Sequence, residues 1–359
     1  MIGESGLRVT GFQSEIRNPK SEMESRFIGS VEKIQPVLVI LGPTGVGKTG
    51  LSLELAERIG GEIVSADARQ AVRTMDIGTA KPSKADRERV PHHLIDIVDP
   101  DEKLTAGEYA RQAAEAIRAI RKRGKRPVVV GGSGLYIRAL TDGLFVESES
   151  EEFRIEWAGG VNPQSAIRNP QSTDEIRKRL KARAAHEGSY TLHEELSRVD
   201  PLAAARIHPH DLHRIVRALE VFESTGQRIS ELQRASRQTP GGIEPMMVGL
   251  ALDRGALHRR IGERVDAMIA RGLIEEVRGL LDRGYGPDLN ALKSVGYQEL
   301  FPYIEGRQTL GATIEAIKRN TRRYAKRQMT WFRRDGRIWW LDGSEDRKRL
   351  VDRVGERYA

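Results

Sequence analysis

Residues 42–49, Gly42-Pro-Thr-Gly-Val-Gly-Lys-Thr49, carry the spacing Gly-x-x-x-x-Gly-Lys-Thr. Glycines at such positions let consecutive backbone N–H groups turn toward one anion, and a helix start adds partial positive charge. Lys48 contributes a full charge, and the Thr49 hydroxyl suits a Mg²⁺ riding on the phosphates. The flanks are those such a loop requires. Val37-Leu-Val-Ile-Leu41 is an apolar, β-branched run that reads as a buried strand. Beyond the loop, Leu51, Leu53, Leu55 and Ala56 fall among polar residues in a helix-length segment stopped by Gly60-Gly61. A chance glycine turn followed by Lys-Thr does not explain why strand, loop and helix start are contiguous. Gly42, Pro43, Thr44, Gly45, Val46, Gly47, Lys48 and Thr49 are therefore the expected site for a diphosphate or triphosphate.

The chain has 359 residues, enough for two domains or one with a large insertion, and no cysteine. Disulfides and thiolate metal sites are thereby excluded. No segment approaches ~18 consecutive apolar residues, so we expect a soluble, cytoplasmic protein that uses no membrane. The net charge of +8 favours polyanions by long-range attraction. Much of the excess lies in the last quarter. Residues 318–337 hold nine Lys or Arg against one acid, interleaved with Tyr324, Trp331 and Phe332 and followed by Trp339-Trp340. A charge run is by default a solvated helix face. Interleaved aromatics favour nucleic acid instead, since cations hold phosphates while planar rings stack on unpaired bases.

Outward from the loop, strands and helices alternate. Glu62-Ile-Val-Ser-Ala-Asp67 reads as a strand ending in a carboxylate, His93-Leu-Ile-Asp-Ile-Val98 as a third strand, and residues 106–123 as a helix. Pro127-Val-Val-Val-Gly-Gly-Ser-Gly134 reads as a fourth strand entering a glycine turn. This pattern predicts an α/β fold, a P-loop parallel sheet core flanked by helices. Residues 68–82 lack periodicity and read as an active-site loop. Residues 175–226 are helical in character without strand signals, an inserted α-helical domain. Strand character returns at Pro245-Met-Met-Val-Gly-Leu-Ala-Leu252, followed by helices over 257–271 and 274–283. The expected organisation is a mobile tail over 1–35, core over 36–147, the inserted helical domain over 148–229, and core again over 230–359. Gln13-Ser-Glu-Ile-Arg-Asn-Pro-Lys-Ser21 recurs almost unchanged as Gln164-Ser-Ala-Ile-Arg-Asn-Pro-Gln-Ser172. Two distant copies make no solenoid. Both read as inserted sequence, which places a weakly structured insertion near 148–173.

Strand carboxyl ends face the ligand crevice in such sheets, which puts Asp67 on the rim of the phosphate loop. A carboxylate there can act as general base; the plainer role is a helix cap. The fourth strand ends in glycines and supplies no second acid for Mg²⁺, for which Asp96 and Asp99 are possible substitutes. His208, His210 and His213 invite a zinc reading, but without cysteine structural or surface roles are favoured. At this point an ATP-using small-molecule kinase and an RNA-binding protein switched by nucleotide both remain open.

Seven ordered motifs resemble the tRNA dimethylallyltransferases, which prenylate N6 of an adenine beside the anticodon. They are the 42–49 loop, Asp76-Ile-Gly-Thr-Ala-Lys-Pro82, Val130-Gly-Gly-Ser-Gly-Leu-Tyr136, Asp200-Pro201 with Ala204-Ala-Arg-Ile-His-Pro209, and Arg214-Ile-Val-Arg-Ala-Leu-Glu220. Lys293-Ser-Val-Gly-Tyr-Gln298 and Tyr324-Ala-Lys-Arg-Gln-Met-Thr-Trp-Phe-Arg333 complete them. The resemblance runs from about residue 36 to 342, except near 148–173. It implies that the loop holds the diphosphate of dimethylallyl diphosphate, with Mg²⁺ as cofactor and Thr49 its protein ligand. It implies Asp67 as base, Thr44 beside the reacting groups and Arg264 on the diphosphate. The implied partner is a tRNA anticodon stem-loop, bound by the inserted helical domain and the basic C-terminal segment. Its contacts are Asp67, Ala68, Arg69, Gln70, Ser133, Arg177, His213, Arg214, Ile215, Val216, Arg217, Lys293, Ser294, Val295, Gly296, Tyr297, Gln298, Lys326 and Arg327. A monomer is expected. The usual Asp-Ser-x-Gln-x-Tyr is here Asp67-Ala-Arg-Gln-Ala-Val72, which loses a hydroxyl and a ring but keeps Asp67 and Gln70.

Overall fold

In the computed structural model, which describes residues 35–143, 170–238 and 243–358, β1 (Val37–Leu41) is buried along its whole length. Its side chains alternate between faces, as a strand's two-residue period demands. Val37, Val39 and Leu41 join one core, Leu38 and Ile40 the other. A strand covered on both faces must be apolar throughout, hence the unbroken run.

The remaining strands are β2 (Gly61–Ala66), β3 (His92–His93), β4 (Arg126–Gly131), β5 (Pro245–Ala251) and β6 (Trp339–Asp342). They form one sheet in the order β3-β2-β4-β1-β5-β6, parallel at every pairing. The expected parallel sheet is thus observed, with β1 between β4 and β5. Between the first strands run α1 (Lys48–Ile59), α2 (Lys84–Arg89), α3 (Ala106–Lys122) and α4 (Gly134–Asp142). α3 and α4 cover the Val39 face through Tyr109, Ile117, Ile137 and Leu140. α3 starts at a reciprocal cap between Thr105 and Glu108 and carries Arg121 and Lys122 in its last turn, both matched to the helix dipole.

The expected strand over 93–98 is corrected to the two-residue β3. Leu94 and Asp96 take left-handed backbone, φ 62° and 58°, and Asp96 is held out of the ladder by Lys81 and Arg87. Further along, residues 96–98 bond to the backbone of residues 70–73 instead, with an isolated parallel bridge between Val72 and Val98.

The helical group comprises α5 (Pro170–Glu187), α6 (Ser189–Val199), α7 (Pro201–Ala204), α8 (Leu212–Thr225) and α9 (Ile229–Gln238). α5 begins inside the second repeat copy, with a proline at its first position, where the missing N–H costs nothing. The rest of the 148–173 insertion, and the 1–35 tail apart from Gln35, lie outside the described residues. Ile229 and Leu232 belong to this group's core, so its packing runs past residue 229 to α9. Buried Asp200 binds α7 and α9 together, accepting from the Ala203 and Ser230 N–H groups at 3.0 and 2.9 Å. The Glu220 side chain, 1% exposed, receives Arg177 at 2.6 and 2.9 Å and Arg217 at 3.0 Å. We expect Glu220→Ala to cost about 3 kcal/mol in chemical denaturation, because it removes the buried carboxylate that ties two guanidinium groups into the helical core. A loss below about 1 kcal/mol would demote the pair to an ordinary surface bridge.

After β5 come α10 (Arg254–Ala270), α11 (Leu273–Asp282), α12 (Phe301–Ile304), α13 (Leu310–Phe332) and, after β6, α14 (Arg347–Tyr358). α1 and α14 cover the Ile40 face. The C-terminal tryptophans are partly buried and each packs on a core cluster. Trp331 and Trp340 pack on the Val39 core, Trp339 on the other, with Arg357 4.4 Å above its ring. Among the described residues no helix is long and apolar enough to cross a membrane. The described residues from Pro36 onward form one compact unit.

Candidate active site

The loop between β1 and α1 turns on three glycines in backbone conformations that side chains rarely adopt: Gly42 at φ 145°, Gly45 at φ 82° and Gly47 at φ 103°. A Cβ on Gly42 would also stand 2.7 Å from the Leu250 carbonyl of β5. Lys48 folds back over the loop, its Nζ donating to the Gly42 and Pro43 carbonyls at 2.9 Å each. Burial pushes its pKa down to about 8, Asp67 pulls the other way, and Arg264 lowers it further. A bound anion would favour the charged form.

Asp67 follows β2 directly and reaches the rim that strand topology requires. Its Oδ1 accepts from the Arg69 N–H at 2.9 Å and the Gln70 N–H at 3.4 Å. Its Oδ2 has no hydrogen-bond partner among the described residues. Arg264 projects from α10 and likewise makes no hydrogen bond or ion pair among them. Burial depresses its pKa against the opposing pull of Asp67. One helical turn earlier, Arg260 donates to the Val46 carbonyl at 3.3 Å and braces the loop.

Thr44, Lys48, Thr49, Asp67 and Arg264 line a single cavity of about 610 Å³. Val265, Met268 and Ile317 give part of its wall an apolar character. Another wall is the 68–82 loop, fixed at several points. Glu276 accepts from the Asp76, Ile77 and Gly78 N–H groups at 2.9, 2.7 and 3.2 Å and from the Tyr297 hydroxyl. Lys81, with a side chain 1% exposed, pairs with Asp76 and Asp96 and donates to the Val72 carbonyl at 2.8 Å. A cation, a carboxylate able to accept a proton and an amide cradle thus meet around one space. That combination can stabilise a departing diphosphate while taking a proton from a nucleophile.

Residues 70–335 match the family model described as IPP transferase. A tRNA dimethylallyltransferase of Geobacter metallireducens is 49% identical over 306 residues, covering 85% of this chain and 92% of that one. A Pelotomaculum thermopropionicum tRNA dimethylallyltransferase is 45% identical over 314 residues, 88% and 93% of the two chains. Among solved structures, the tRNA isopentenylpyrophosphate transferase of Bacillus halodurans superimposes with a TM-score of 0.61 at 36% identity, covering 90% and 95%. A eukaryotic dimethylallyltransferase acting on tRNA gives 0.72 at 27% identity, covering 90% and 77%. The chain belongs to the tRNA dimethylallyltransferase family.

The RNA contacts suggested by the tRNA dimethylallyltransferase motifs separate into three sets: cavity-lining residues, residues of the helical group, and Gln298 with Lys326, which belong to neither. Ser133, Arg327 and residues 67–70 and 293–297 line the cavity. Within that set Gln70 is already engaged: its Oε1 accepts from the Ser65 hydroxyl at 3.2 Å, and its Nε2 donates to the Ala80 carbonyl at 3.3 Å. Tyr297 is fully buried. Arg177 and residues 213–217 lie on the helical group and line no part of the cavity. There Ile215 and Val216 are core residues, and Arg177 and Arg217 are paired with Glu220. His213 and Arg214 present exposed side chains, as do Gln298 and Lys326, which stand outside the cavity lining.

The two substitute metal carboxylates are corrected as well. Burial pushes the Asp96 carboxyl up, but hydrogen bonds from Lys81 and Arg87 outweigh it and leave it below its ordinary range. Asp99 is paired with Arg73 at 2.8 Å. His208 and His210 take local contacts: His208 Nδ1 accepts from the His210 N–H at 3.2 Å, and His210 packs edge-on to Tyr190.

Sequence reasoning missed Glu276 and Gln328. Glu276 carries no local signal, since the backbone groups it holds in the 68–82 loop lie about two hundred residues away. Gln328 did leave one: it is a lone amide on the buried stripe of α13 that includes Ile317, Ala325 and Phe332.

Proposed function

We propose that this chain transfers a dimethylallyl group from dimethylallyl diphosphate to N6 of adenosine 37, beside the anticodon, in tRNAs reading codons that begin with U. The products are N6-isopentenyladenosine and diphosphate. The reading is carried by the meeting of the 42–49 cradle, Asp67 and Arg264 in one cavity. Adenine N6 attacks the allylic carbon, the carbon–oxygen bond to diphosphate breaks with its electron pair, and Asp67 Oδ2 accepts the N6 proton. N6 is a weak nucleophile because its lone pair is delocalised into the ring, so proton removal during bond formation matters. Lys48, Arg264 and the loop amides meet the charge that develops on the leaving group, with Thr44 beside the reacting groups. Val265, Met268 and Ile317 offer the short isoprenoid an apolar surface.

Among the described residues no group of three or more His, Asp or Glu could hold a metal ion by itself. Mg²⁺ keeps most of its waters and is commonly held by substrate phosphates plus one or two protein oxygens. Thr49, at the start of α1, would be the protein ligand, and the ion would add neutralisation of the diphosphate.

The acceptor is an anticodon stem-loop, whose unpaired bases leave their stack more readily than those of a duplex. Incubation with labelled dimethylallyl diphosphate is expected to label a stem-loop containing A36 and A37. Label entering only from ATP would point to a kinase instead. Lys326 and Arg327 are exposed on α13, Arg327 at the cavity. Neutralising both is expected to weaken tRNA binding and reduce its logarithmic salt slope by about 1–2. An unchanged slope would return this face to plain solvation.

A further inference from the structure

Gln328 is 7% exposed on the inward side of α13. Its amide bridges two backbone groups far apart in the chain, one in the phosphate loop and one just after β4. Oε1 accepts from the Thr44 N–H at 2.9 Å, and Nε2 donates to the Gly132 carbonyl at 2.9 Å. Exchanging O and N would set donor against donor and acceptor against acceptor, so the chemistry fixes the orientation. Gly132 permits the approach, since a Cβ there would stand 2.4 Å from Nε2.

The bridge acts in two directions. In the phosphate loop it commits the Thr44 N–H to α13, leaving the following amides for the anion. On the other side it holds Gly132, whose successor Ser133 grips both neighbours of Asp67. The Ser133 N–H donates to the Ala66 carbonyl at 3.1 Å, and its Oγ accepts from the Ala68 N–H at 3.0 Å. One side chain therefore connects the cradle to the segment that carries the base. Docking a helix needs no amide at this place: burying one costs free energy unless both its groups are paired, and an apolar side chain would avoid that cost.

We propose that Gln328 is a positioning residue for the prenyl transfer described above, on which this inference rests. It sets the distance between the diphosphate cradle and the Asp67 carboxylate. A displacement-type transfer needs nucleophile, carbon and leaving group aligned, and shifts of about 1 Å cost up to about a hundredfold in rate.

The test is Gln328→Met in the full chain, which keeps the unbranched length and removes both hydrogen bonds. Steady-state transfer is measured beside wild type with dimethylallyl diphosphate and an anticodon stem-loop, and kcat is referred to the folded fraction from thermal melting. The expected result is a kcat lowered roughly tenfold to a hundredfold with the KM for stem-loop changed less than about threefold. A kcat per folded molecule within about twofold of wild type overturns the inference and leaves Gln328 a packing residue. Should the Met variant not fold, Gln328→Glu reads the same ratio, because it keeps an acceptor for Thr44 but turns a carboxylate oxygen on the Gly132 carbonyl. Absence of transfer by the wild-type chain overturns the proposed function together with this inference, and is seen without any variant.

Discussion

Asp67→Asn lowers the rate of prenyl transfer by about two or more orders of magnitude while tRNA affinity stays near normal. The asymmetry of its two oxygens is what makes the substitution informative. Oδ1 organises the turn by accepting from the Arg69 and Gln70 N–H groups, and an asparagine carbonyl preserves both bonds. Oδ2, without a partner among the described residues, becomes an amide nitrogen that cannot take a proton. The scaffold should therefore survive and the chemistry fail. Single-turnover transfer with saturating donor, beside filter binding of the stem-loop, separates the two. Near-full turnover would remove Asp67 from the base role and leave it a turn former.

Lys48→Met reduces kcat roughly a hundredfold to a thousandfold, the range seen when one preorganised charge-stabilising donor is removed. Two properties of this lysine lead there. It is drawn into the loop by the Gly42 and Pro43 carbonyls, so its charge lies where the diphosphate oxygens must come. It is also partly desolvated, with a pKa near 8, and a charge withdrawn from water acts more strongly on a neighbouring anion. Product inhibition by diphosphate gives an independent readout and should weaken in parallel. Unchanged turnover and inhibition would make Lys48 a clasp for the loop and nothing more. Lys48→Arg is not expected to rescue, because the planar guanidinium cannot follow the same path between two carbonyls.

The phosphate loop was legible because each of its requirements is local. An apolar strand, a glycine turn and a helix start are consecutive in the chain, and so is Asp67 with the end of its strand. The apolar cavity wall was harder to see, since Val265 and Ile317 come from helices that sequence reading treats as ordinary amphipathic elements. The basic segment hid one feature. Tryptophans beside arginines suggested stacking platforms, and only the fold shows that Trp331 and Trp340 also pack, partly buried, against the core under α3 and α4. The strand over 93–98 failed for a related reason, because ion pairs to Lys81 and Arg87 outweighed the local β preference of its residues.

What the sequence by itself determined is the set of groups, and with it the class of chemistry. Backbone dihedrals, strand period and glycine placement act within a few residues, so the cradle, the buried strand and the carboxylate at a strand end follow from the order of letters. What only the tertiary structure decided is how groups far apart in the chain are held at working distance. Arg264 reaches the cradle because α10 packs beside it, Glu276 fixes a loop two hundred residues earlier, and Gln328 bridges Thr44 to Gly132. Hydrogen bonds and burial depend on distance in space, and no spacing along a chain encodes that until the core has closed.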